Sequence, residues 1–113
     1  MPLLNLDFDK ISKDMLAAAQ GSLKDHAADI KTLAEGELKD FARRTVELAV
    51  KVSDGTISPE QAKLILKIRQ NAVETVFLSI AGIGLLAVQE AMNSVIDVLK
   101  GAINSAIPGI DLF

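Results

Sequence analysis

The chain of 113 residues has no cysteine, no tryptophan and no tyrosine, and it has a single histidine. Without cysteine there are no disulfides, no thiolate metal sites and no thiol nucleophiles. The lone histidine, His26, follows Asp25 and lies one helical turn from Asp29. No Glu-x-x-His pair accompanies it, so the ligand set of a helical-bundle metal centre is not reached. Basic residues are not in excess: 12 Lys and Arg stand against 15 Asp and Glu, a net charge of −3. A phosphate-binding surface needs a basic field, so nucleic acid is not an expected partner.

Phosphate loops and catalytic groupings are missing too. No Gly-Lys-Ser/Thr loop occurs, and no Ser-His-Asp grouping can be assembled. Gly82-Ile83-Gly84 lies inside a helical pattern, without the strand and turn a nucleotide site requires. Asp54-Gly55-Thr56-Ile57 has the look of a calcium loop, but Val50 and Val52 would occupy its first and third ligand positions, and Gln61 its last. No cofactor is expected, and the chain does not read as an enzyme.

Long apolar runs are also lacking. The 15 residues between Glu74 and Glu90 carry no charge. As a helix they would extend about 22 Å, short of a hydrocarbon core of roughly 30 Å. The flanks are acidic, so a membrane span is not the favoured reading. Met1-Pro2-Leu3-Leu4-Asn5-Leu6-Asp7 has no basic start and no signal-peptide core. Synthesis in the cytoplasm is the expectation.

What is present is aliphatic. Half of the residues are hydrophobic, yet only 4% are aromatic. Leu, Ile, Val and Ala suit helix packing, and the length suits one domain. From Phe8 an apolar stripe runs through Ile11, Met15, Ala19, Leu23, Ala27, Ile30, Ala34, Leu38, Phe41, Thr45, Ala49 and Val52. Its step of about 3.67 residues is nearer an 11-residue period than a heptad. This predicts a first helix over about 9–52, with Gly21 and Gly36 as candidate breaks. Glu35/Lys39, Asp40/Arg44 and Glu47/Lys51 are acid-before-base pairs on its solvated face.

Ser53-Asp54-Gly55-Thr56-Ile57-Ser58-Pro59-Glu60-Gln61 is the clearest punctuation. Asp54-Gly55 signals a turn. Ser58, Pro59 and Gln61 form an N-cap, a first-turn proline and a capping box. A second helix is predicted over about 59–106, ended by Pro108-Gly109. The all-α expectation is therefore one helical-hairpin domain over 1–113, antiparallel, with apolar terminal segments at 1–8 and 107–113.

From Val76 to Val88 the second helix would be apolar on all sides, and one partner helix cannot cover it. Self-association is the expected remedy, in an oligomeric bundle with a trimer favoured. Its expected interface is Phe77, Ile80, Ile83, Gly84, Ala87, Val88, Met92 and Val95. Ala81, Gly84, Ala87 and Ala91 recur at three and four, a spacing that permits close helix approach. Asn93 is a candidate register-setting residue. The terminal residues Leu4, Leu6, Phe8, Ile110, Leu112 and Phe113 are expected to dock into a neighbouring subunit or a larger structural protein.

Residues 46–107 resemble small helical proteins encoded among phage virion genes. The resemblance is carried by Asp54-Gly55-x-Ile57-x-Pro59-Glu60-Gln61-Ala62, by Arg69, by the glycine-containing apolar helix, by Gln89-x-x-Met92-Asn93, and by Val98-Leu99-x-x-Ala102-x-Asn104. It implies an accessory structural component of a virion, in a tail, spike or capsid lining. The competing expectations are a membrane-active protein of the holin-like or penetration kind, and an adaptor or chaperone for one larger protein.

Overall fold

Helices begin where a side chain can satisfy the first free amides. The Asp7 carboxylate accepts the Lys10 amide at 3.1 Å, opening α1, Phe8–Ser22. A 3₁₀ turn, Lys24–His26, precedes α2, Ala27–Ser53; α3 is Pro59–Leu78 and α4 is Leu85–Ala106. The computed structural model describes residues 7–80, 82–107, 109–110 and 112–113. These residues form helices, turns and connecting loops without a strand, so the protein is all-α.

The expected first helix is two. Leu23 leaves the helical region, with φ −122 and ψ 56, and its side chain is buried. Gln20 Nε2 donates to the Ala27 carbonyl at 2.9 Å and ties the two helices across the joint. The break falls two residues beyond Gly21, while Gly36 lies inside uninterrupted α2.

The start of α3 follows the sequence closely. The Ser58 hydroxyl accepts the Gln61 amide at 3.1 Å, and the Gln61 side chain accepts the Ser58 amide at 3.0 Å. Together they make the capping box, with Pro59 in the first turn where its missing N–H costs nothing. Ahead of it, the Asp54 carboxylate accepts both the backbone amide and the hydroxyl of Thr56. Those bonds hold its pKa below the ordinary aspartate value.

The second helix departs from expectation. It stops at Leu78 and resumes at Leu85. The Ser79 hydroxyl donates to the Val76 carbonyl at 2.6 Å, consuming an acceptor at the helix end. The Ile80 amide reaches back only three residues, to Phe77, and the Ile83 amide closes a turn on the Ile80 carbonyl. Gly82 has φ +88, a conformation that L side chains rarely adopt. Gly82 and Gly84 are the residues able to kink the helix there, but an uncharged run supplies no polarity to mark where helix gives way to turn.

Unbroken, 48 residues of helix would span about 70 Å. With both breaks the molecule measures 43 × 25 × 19 Å, and α2, at about 40 Å, sets its length. Helix α1 lies between α2 and α4, and α3 packs mainly along α2. The position of α1 explains its breadth of burial. Ile11, Met15 and Ala19 form one buried row, and Ser12, Leu16 and Leu23 another. Phe41 and Phe77 are the largest buried side chains, set among Leu38, Val46, Leu66, Val73 and Leu99. Burying each such aliphatic or aromatic side chain contributes roughly 1.5–3 kcal/mol.

Candidate interaction surface

The break in the second helix redirects the residues expected to join subunits. Phe77, Ile80, Val88, Met92 and Val95 are all buried within the chain itself. Ile83 and Ala87 are half-buried against the same core. The reason is geometric: with the helix interrupted between Leu78 and Leu85, one side of the apolar run meets its own neighbours, while Leu78, Leu85 and Leu86 stay exposed. Gly84 is the N-cap residue of α4 and is exposed, with nothing within 4 Å of an added Cβ. It mediates no close approach within the fold. Asn93 is exposed on α4, while Ser94 beside it makes the inter-helix bond, 3.0 Å to Ser22.

The terminal residues fold back as well. Leu112 is buried, and Ile110 and Phe113 are packed against the core beside Ile103 and Lys100 of α4. Phe8 is half-buried, with the Arg43 guanidinium carbon 5.8 Å from its ring centroid. Leu4 and Leu6 lie outside the described residues.

Apolar surface remains on the outer side of α3, besides Leu33 on α2 and Leu85 and Leu86 on α4. Leu64 is 70% exposed and Ile68 67% exposed. Gln61, Leu64, Ile68, Asn71, Thr75 and Leu78 are all exposed and follow one another at steps of three and four. That spacing places them on one face of the helix. The core side of the same helix is carried by Ala62, Leu66, Val73 and Phe77. Helix α3 thus has one buried side and an opposite side that the chain leaves exposed. No charged side chain lies in the outer row. Lys67 and Glu74 border it on one flank, and Ile65 and Ala72 on the other.

This row was missed in the sequence because three of its six members are polar and because it interleaves with the core stripe. The aliphatic residues Leu64, Ile65 and Ile68, lying off the core stripe, were the signal that could have found it. Near its C-terminal end, Leu85 and Leu86 are also exposed, so apolar surface continues around the corner into α4.

The remaining polar features are local. Lys39 Nζ lies 2.6 Å from Asp9 Oδ1, joining α2 to α1. That hydrogen bond, and the lysine charge, hold the Asp9 carboxyl below its ordinary pKa. His26 Nδ1 is 3.9 Å from Asp29 Oδ2. Open clefts occur beside Asp9 and Lys39 and beside Arg44 and Arg69, both framed by solvated charges. Among the described residues no helix is long and apolar enough to cross a membrane. No protein-family model, curated protein or solved structure matches the chain.

Proposed function

We propose that the protein is a non-enzymatic assembly component that self-associates through the outer face of α3. The observation that carries this reading is the uncharged row from Gln61 to Leu78, exposed on a helix whose opposite side is already used by the core. A helix facing only solvent on that side gains nothing from Leu64, Ile65 and Ile68, whereas a helix facing a partner does. The role is the one implied by the resemblance to accessory virion proteins, a structural piece that joins copies of itself and thereby larger parts. The trimeric bundle expected around Phe77, Val88 and Val95 is set aside, because those side chains are spent inside the chain. A dimer takes its place.

The test is the solution mass of the full chain by sedimentation, without detergent, across a micromolar concentration series. A concentration-dependent species of twice the chain mass of 12.0 kDa supports the reading. A single monomer boundary at every concentration overturns it. The exposed corner of Leu78, Leu85 and Leu86 favours a second reading, docking onto a larger protein. In that case Leu86→Ser abolishes capture of the partner without changing self-association.

A further inference from the structure

We infer that the outer row of α3 packs against the same row of a second copy, antiparallel and about a two-fold axis, in one defined register. This rests on the self-association proposed above and specifies its geometry. Written as a heptad, Gln61, Ile68 and Thr75 take the a positions, and Leu64, Asn71 and Leu78 take d. The flanks are unlike. Glu60, Lys67 and Glu74 fill the g positions, while Ile65 and Ala72 fill e. All of the charge bordering the seam is therefore on one flank.

That asymmetry decides the orientation. In a parallel pair each g position faces an e position of the other helix. Lys67 would face Ala72, Glu60 would face Ile65, and no charge would be compensated. In an antiparallel pair g faces g, so the charged flank meets itself. Sliding by whole heptads leaves three registers with substantial overlap. One places Lys67 on Lys67 of the second copy and Glu60 on its Glu74, both repulsive. A second places Glu74 on Glu74. The third sets Ile68 opposite Asn71 of the second copy and brings Lys67 to Glu74 twice, once on each side of the axis. Two registers are opposed by like charges and one is favoured, which gives specificity by exclusion as well as by attraction. Symmetry makes the contact closed, so it yields a dimer and not a filament.

On the apolar side this register overlaps the whole row but sets its aliphatic residues opposite polar ones, Ile68 opposite Asn71 and Leu78 opposite Gln61, so the flanking charges alone select it. Leu64 meets Thr75 of the second copy, and Ile65 on the dry flank meets Ala72. The two Asn71 side chains occupy adjacent layers near the axis. Lys67 is exposed and Glu74 half-exposed, and among the described residues neither joins an ion pair within the chain. Both charges are free to serve a partner. With three polar residues in the row, the dimer is a weak one.

Charge exchange tests the register. Lys67→Glu and Glu74→Lys are made separately in the full chain, and dissociation constants are measured by sedimentation at low salt. Far-UV circular dichroism confirms that each variant is folded. Each variant alone is expected to dimerise about tenfold more weakly than the wild type, because two attractive pairs become repulsive. An equimolar mixture of the two variants is expected to recover wild-type affinity, since every Lys then faces a Glu in the mixed dimer. High salt should compress these differences. A wild-type dimer whose affinity ignores both substitutions, or a mixture that fails to recover, overturns the register while leaving self-association standing. A monomeric wild type, including one that binds only lipid vesicles or another protein, overturns both.

Discussion

The imidazole of His26 lies against Gly82: a Cβ at position 82 would stand 3.3 Å from the His26 ring carbon Cε1. The joint between α1 and α2 and the turn between α3 and α4 thereby touch at a point where only a hydrogen fits comfortably. Gly82 also has φ +88. Gly82→Ala should therefore destabilise the protein by about 1–2 kcal/mol through backbone conformation alone, with the His26 contact adding to it. Chemical denaturation of the variant checks this, and an unchanged midpoint would show that the turn is not as described.

The other glycines of the helices behave oppositely. Gly36 in α2 and Gly101 in α4 are helical, and a Cβ added at either meets nothing within 4 Å. Gly36→Ala and Gly101→Ala should each raise stability by about 0.5–1 kcal/mol. Gly84→Leu, which would block a bundle packed closely at that position, should leave the fold and the dimer intact. Thermal unfolding and sedimentation of the three variants report both effects.

The Lys39–Asp9 pair makes a pH prediction. The folded carboxyl titrates below its ordinary value of 3.8, chiefly through the Lys39 hydrogen bond. A depressed pKa contributes stability above the unfolded value, and the contribution disappears as pH falls through the folded one. Lys39→Met should lower the melting temperature slightly at neutral pH. The difference from wild type should close once the pH is well below 3.8. A gap that persists in acid would mean that Lys39 acts through packing and not through charge.

The C-terminal segment should be part of the fold. Leu112 is 4% exposed, so Leu112→Ala should cost about 2–3 kcal/mol, in the range for a buried leucine truncated to alanine. Leu86→Ser, at a residue 71% exposed, should cost almost nothing. Urea midpoints for the two variants should differ in that order. A Leu112→Ala variant as stable as the wild type would place the tail outside the core.

How much of this was legible in the sequence depended on whether polarity marked it. The Ser58–Gln61 capping box names its own geometry, and the structure matches it bond for bond. The apolar stripe from Phe8 to Val52 located one buried row of α1 and α2, including Thr45, which is fully buried and donates to the Phe41 carbonyl at 2.7 Å, but not Ser12, Leu16, Ala42, Val46 or Leu48. Lys39 was expected beside Glu35 but reaches Asp9 on another helix, since i,i+4 spacing says nothing of a neighbour 30 residues away. The turn at 79–84 lay in a run where every residue is apolar or small, so no charge pattern distinguished turn from helix. The candidate interface shifted with it. Once the run folds inward, the surface left uncovered is α3, whose outer row is half polar and hides beside Leu66 and Val73.

The most direct measurement is a dilution series followed through the methyl resonances of the wild-type chain. If the outer face of α3 joins two copies, the methyls of Leu64, Ile65, Ile68 and Leu78 shift with concentration, while those of Val88, Met92 and Val95 stay fixed. If the α3 methyls are unchanged from micromolar to millimolar, or if the shifts fall on Val88 and Val95 instead, the account is wrong about where this protein meets its partner.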